Sequence, residues 1–139
     1  MEEQCIEYHQ TANLAIAIGD NAARERVYNE YKSELPNSKF PALIHKSAVI
    51  GISSIVGDGS FVMPLANISV NSKVDMFCIV NSSSSIDHDC LIKDHTHICP
   101  GVIIAGNVKI GKNCWIGLGS KIIQNCIIGD NVFVAAGAV

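Results

Sequence analysis

Ile98-Cys-Pro-Gly-Val-Ile-Ile104-Ala-Gly-Asn-Val-Lys-Ile110-Gly-Lys-Asn-Cys-Trp-Ile116 brings isoleucine back at every sixth residue. Extended both ways, the same step runs without a gap from Ile44 to Val134, and every position on it is isoleucine or valine. Four residues after each comes a second column, with Cys78, Ser84, Cys90, Thr96, Val102, Val108 and Cys114 at its centre, in which nothing is larger than valine. A period of six fits neither the 3.6 of an α-helix nor the alternation of one isolated strand. It fits a hexapeptide solenoid, in which each six-residue unit builds one flat side of a coil.

Three sides close a coil in the left-handed form of this solenoid, so residues eighteen apart stack. Branched side chains at the first position fill the interior and suit strands. The fifth position must be small because it points into a corner. From Asp89 onward the fourth position reads Asp89, His95, Gly101, Asn107, Asn113, Gly119, Asn125, Asn131, Gly137. These residue types tolerate positive φ, which sharp corners can require. The three columns predict an all-β fold, a left-handed parallel β-helix of hexapeptide repeats over residues 42–139.

The 139 residues suffice for one domain plus a fragment, and the net charge of −3 argues against a nucleic-acid partner. No apolar run reaches the ~18 residues of a membrane span, and Met1-Glu2-Glu3-Gln4 does not read as a signal peptide. A cytoplasmic protein with reduced cysteines is therefore expected, the cysteines of the small column serving as buried apolar groups. Residues 1–12 show no pattern. Asn13 to Ile18 reads as a buried strand, and Asp20 or Asn21 can cap a helix after it. That helix would turn Ala22, Ala23, Val27 and Tyr31 to one face, with Arg24 and Glu25 elsewhere, and end at Pro36 and Asn37. Phe40 to Leu43 reads as a second strand. Residues 1–41 are thus expected to be a partial α/β (βαβ) domain ahead of the β-helix.

The polar residues of the middle coils depart from bland filling: Asn81, then Asp87-His88-Asp89, then His95 and His97. His88 is flanked by two aspartates that could orient its imidazole and raise its basicity, suiting a general base near neutral pH. Gly106 stacks eighteen residues beyond it and could present an N–H to an oxyanion. His97 heads a column with Trp115 and Phe133. The three histidines fall in three different columns, which speaks against a zinc site. Cys99, outside the small column, shares no column with a histidine, which speaks against a covalent cysteine mechanism.

The run from Asn81 through Ile86-Asp-His-Asp-Cys-Leu-Ile92 and His97 to Ala105-Gly-Asn-Val-Lys-Ile-Gly-Lys-Asn-Cys-Trp-Ile-Gly117 resembles the bacterial sugar acyltransferases of the sialic acid O-acetyltransferase type. That group includes the UDP-4-amino-sugar N-acetyltransferases. The resemblance implies acetyl transfer from acetyl-CoA, as co-substrate without a metal, to an amino or hydroxyl group of a sugar or nucleotide sugar. It implies a homotrimer with sites between neighbouring prisms. It also implies roles: His88 as base, Asp89 as the acid that raises its basicity, and His97, Gly106, Leu118 and Ala136 on acetyl-CoA. Gly19 and Asn81 would lie by the sugar acceptor. The group opens with a glycine-rich turn that has no counterpart here and continues past Val139, so a chain truncated at both ends is expected. The competing expectation is a catalytically silent β-helix that only trimerises.

Overall fold

The computed structural model describes residues 13–139. Among them are one α-helix and sixteen two-residue strands, from Leu43–Ile44 to Phe133–Val134. The strands form three parallel stacks, one of six and two of five, and each contributes one face of a prism of about five coils. Every strand pairs with strands eighteen residues away: Ile98 lies against Val80 on one side and Ile116 on the other. The step of six is thus a face and the step of eighteen a coil. The expectation of a parallel β-solenoid from the first hexads onward holds.

The first-position column is the core. Ile68, Val74, Val80, Ile86, Ile92, Ile98, Ile104, Ile110 and Ile116 are each at most 1% exposed. Each such burial contributes about 1.5–3 kcal/mol. The fourth-position column makes the corners. Every positive φ among the described residues falls on it, from Ser53 to Gly137. Leu65 and Phe77 take this conformation as well, with φ of 60° and 54°, although large side chains seldom do.

The fifth-position column is small for size, as expected, and it also carries hydrogen bonds. The Thr96 hydroxyl donates to Gly111 O (2.7 Å) and accepts from Cys114 N–H (3.0 Å). Ser72 repeats the arrangement with Asp87 O and Cys90 N–H, and the Cys78, Cys90 and Cys114 thiols donate to Lys93, Ala105 and Gly129 carbonyls. Hydroxyl and thiol therefore staple successive coils at their corners. Thr96→Val keeps shape but leaves two buried backbone groups unpaired, and should cost about 1–3 kcal/mol in a denaturant titration. Val102 and Val108, both fully buried in the same column, show that valine itself fits.

The segment before the solenoid corrects the sequence reading in three ways. Of the two expected strands there remains one parallel bridge, Asn13 with Lys39, while Leu43, the end of the second, pairs with Phe61 as the first strand of the solenoid. Phe40 is a core aromatic rather than a strand residue. The helix α1 (Asn21–Glu34) is capped by Asp20, whose carboxylate accepts from Ala23 N–H at 2.8 Å, and it stops before Pro36 as expected. Its buried face, however, is Asn21 and Arg24, while Tyr31 is 43% exposed. An apolar stripe was the wrong guide here, because Arg24 finds polar partners for its whole guanidinium. The expected α/β domain also includes residues 1–12, which lie outside the described residues.

This segment docks on the corner formed by Gly59, Phe77, His95 and Asn113. The Phe77 ring occupies the space over Gly59 where a Cβ would stand. It stacks on His95 (5.4 Å, 8° between planes) and packs against Tyr28 (4.1 Å) and Phe40 (5.5 Å). Ile16, Leu14, Ile18 and Val27 complete this second core.

Candidate functional site

The expected site residues fall into separate groups on the prism. His88, Asp89 and Gly106 share the corner between the two five-stranded faces. The Asp87-His88-Asp89 stretch reaches it because Asp89 takes the corner conformation, with φ of 58°. That turn folds the Asp89 carboxylate back onto His88, with Oδ2 at 2.8 Å from Nδ1. Asp87 accepts from His88 N–H at 2.8 Å. The imidazole lies over Gly106: a Cβ there would stand 2.6 Å from both Cε1 and Nε2. Glycine at 106 is what lets the ring lie flat on the coil above. Nε2 has no hydrogen-bond partner among the described residues, and the side chain is 54% exposed. The hydrogen bond to Asp89, helped by the charge of Asp87, raises the His88 pKa, and His88 in turn lowers that of Asp89.

Gly19, Asn81 and His97 meet on the six-stranded face. His97 is 6% exposed, edge-on to Trp115 at 4.5 Å. Its Nδ1 lies 3.2 Å from Gly19 O and its Nε2 3.1 Å from Asn81 Nδ2. Ser82 N–H donates to Asn81 Oδ1 at 2.8 Å, which turns the Asn81 amide nitrogen toward His97. The ring must then accept at Nε2 and carry its proton on Nδ1, donated to Gly19 O. Burial, the dominant cause, lowers the His97 pKa and favours this neutral form. The contact with Gly19 was not legible in the sequence, since 78 residues separate the two.

Leu118 and Ala136 stack at the third corner, where Gly137 N–H donates to Leu118 O at 2.8 Å. Leu118 is 57% exposed. Position three of the hexad has a backbone N–H that points off the turn. Carboxylates cap it at Met76, His88 and Lys112. At Gly106, Leu118 and Ala136 it has no acceptor among the described residues. His95 is buried against Phe77 and belongs to the docking corner. Cys99 is buried, with its thiol pushed up to about 11 by desolvation. No group of three metal-ligating side chains occurs among the described residues.

Residues 107–139 match the family described as Bacterial transferase hexapeptide (six repeats). Over those residues the repeat matches the hexapeptide repeat of that family. Among solved structures, the repeat protein is similar to the acetyltransferase domain of PglB from Neisseria gonorrhoeae FA1090, at 34% identity and a TM-score of 0.86 over 90% of this chain and 60% of that one. The same domain in complex with acetyl coenzyme A gives 35% and 0.87 over 91% and 61%. PerB from Caulobacter crescentus, in complex with CoA and GDP-perosamine, gives 31% and 0.86 over 91% and 60%. The chain thus spans about 60% of the length of these structures. No helix among the described residues is long and apolar enough to cross a membrane.

Proposed function

We propose that this chain transfers an acetyl group from acetyl-CoA to an amino or hydroxyl group of a sugar, with a UDP-4-amino sugar or a sialic acid as the acceptor type. One observation carries the reading: an imidazole oriented at Nδ1 by a carboxylate, seated on a glycine, with Nε2 open to a ligand. The similarity to acetyltransferase structures that hold acetyl coenzyme A or CoA with a nucleotide sugar supports it. In this reading residues 1–41 belong to an α/β acceptor-binding part and residues 42–139 to a left-handed transferase β-helix.

His88 Nε2 takes the proton from the acceptor amine or hydroxyl as that group attacks the thioester carbon. The Asp89 carboxylate steadies the imidazolium that forms. Gly106 N–H donates to the developing oxyanion. The imidazolium then returns its proton to the departing thiolate. Through its N–H, Gly106 holds the thioester end of acetyl-CoA, the uncapped N–H groups of Leu118 and Ala136 suit the amide carbonyls of the coenzyme arm, and His97 closes that side. Gly19 and Asn81 are assigned to the acceptor. Gly106→Ala tests the seat of the base. A methyl there displaces only a partly exposed ring, so melting should be unchanged while kcat falls about 10- to 100-fold.

The His88 corner lies opposite the face that carries His97, so one prism cannot bring the two groups together. We infer a homotrimer in which the corner of one copy meets a neighbour. Exposed Val49, Ile55 and Ile103, at 60%, 56% and 50%, supply apolar surface for it. Ile79 adds nothing to that surface: it is 9% exposed, in register with His97 on the face that the Gly19 turn crosses. Sedimentation velocity should show a trimer at micromolar concentration, and a stable monomer would count against it. The function itself is tested by thiol release from acetyl-CoA in the presence of nucleotide amino sugars and sialic acids. Transfer to one of them is expected. No transfer, together with no CoA binding, would leave the β-helix as a trimerising scaffold.

A further inference from the structure

Arg24 is the largest fully buried side chain of the described residues, at 0% exposure. Its guanidinium spends all five N–H donors. Nε donates to Phe77 O (2.8 Å), and Nη1 donates to Ile18 O (2.9 Å) and Gly19 O (3.0 Å). Nη2 donates to Asn21 Oδ1 (2.7 Å) and His95 O (2.7 Å). Two of these acceptors are corner carbonyls of the solenoid. Of the other three, the Ile18 and Gly19 carbonyls belong to the turn that leads into α1, and Asn21 is the first residue of that helix. No carboxylate forms an ion pair with Arg24 among the described residues. Five neutral acceptors in a fixed fork define position more than they neutralise charge, and only a planar guanidinium can reach all five.

The Gly19 carbonyl joins this cluster to the site, because it also accepts from His97 Nδ1–H at 3.2 Å. A ring whose Nδ1 proton is held in this way must present a lone pair at Nε2, and that is where the Asn81 amide donates. The chain of contacts runs from the solenoid corner through Arg24, Gly19 and His97 to Asn81. A Cβ at Gly19 would meet nothing within 4 Å, so the Cβ side of that residue is open, and the contacts made by its carbonyl are hydrogen bonds.

We propose that Arg24 is a positioning residue for the sugar-acceptor side of the site: it fixes the Gly19 carbonyl, and through it the acceptor that holds the His97 proton on Nδ1, opposite the nitrogen that faces the Ser82-held amide of Asn81. The proposal rests on the acetyltransferase reading for its kinetic consequence, but not for its structural one. Arg24→Met keeps the aliphatic stem and removes every donor, and Arg24→Lys restores some of them.

Nitrogen-15 resonances of the His97 ring report the tautomer directly. The wild-type chain should show one neutral form protonated on Nδ1. Arg24→Met, still folded by circular dichroism, should show a mixture of tautomers, and Arg24→Lys should lie between. Acceptor kcat/KM should fall by about 10²-fold in Arg24→Met, with a smaller loss of coenzyme affinity through His97. A structural role alone would lower the melting temperature without moving the tautomer or separating acceptor from coenzyme.

The proposal is overturned if wild-type His97 carries its proton on Nε2, or if folded Arg24→Met keeps the wild-type tautomer. It is overturned equally if neither variant folds, since Arg24 would then serve the whole chain rather than this turn. A wild-type chain that shows the stated tautomer and its loss in Arg24→Met, yet transfers no acetyl group to any sugar, would count against the functional reading alone.

Discussion

His88→Ala is expected to lower kcat by about 10²–10⁴-fold and to leave acetyl-CoA affinity nearly intact. The base acts on the acceptor, and its removal opens space at an exposed corner without touching the core. The pH dependence identifies the residue more sharply than the loss of rate. The hydrogen bond that His88 Nδ1–H donates to Asp89, then the charge of Asp87, hold the His88 pKa above its ordinary value. The imidazole is a free base only above that raised pKa, so the rate should climb as pH rises through it. Asp89→Asn removes the larger cause. The pKa then falls, and the acidic limb of the profile moves to lower pH, with a smaller loss of kcat at its plateau than in His88→Ala. Wild-type turnover in His88→Ala would place the base elsewhere, and an unmoved acidic limb in Asp89→Asn would assign that limb to another group.

Ile110→Asp is expected to abolish folding. Ile110 is 1% exposed and lies in register between Ile92 and Ile128 on the inside of the prism. A carboxylate there has no donor to pair with and must either stay charged in an apolar column or bind a proton at neutral pH. The cost should exceed about 4 kcal/mol, a large part of the ~5–15 kcal/mol that holds a typical domain together. Loss of the circular dichroism signal or of soluble protein is the expected readout. A soluble variant with an unchanged melting curve would refute the inward assignment of the first-position column.

The two parts of the chain were legible to different degrees, for a physical reason. In a solenoid each position of the repeat meets one environment in every coil, so sixteen copies of that environment are written in the sequence. Ile98 and Ile110 could be read as core and Asn107 and Asn113 as corners without any knowledge of the coils around them. His88 was legible because its partners, Asp87 and Asp89, are its neighbours in the chain. Where a contact is made once and over a long separation, the sequence is silent. Arg24 was placed off the packed face of its helix because its acceptors, the Phe77 and His95 carbonyls, lie 53 and 71 residues away. Phe77 did carry a signal: it is the one phenyl ring in the column of corners. A side chain that breaks a column rule, at a position with φ of 54°, marks the place where something outside the solenoid docks.

The corner staples bear on the chemistry of the thiols that take part in them. Each of Cys78, Cys90 and Cys114 offers its proton to a carbonyl of the next coil. Burial raises all three pKa values, Cys78 to about 12. The thiolate, which is the form that alkylating and oxidising reagents attack, is therefore nearly absent at neutral pH while the coils are closed. Reactivity returns only when a coil opens. The three cysteines sit in different hexads, so the rates at which a thiol reagent modifies them form a built-in record of how often each part of the stack comes apart.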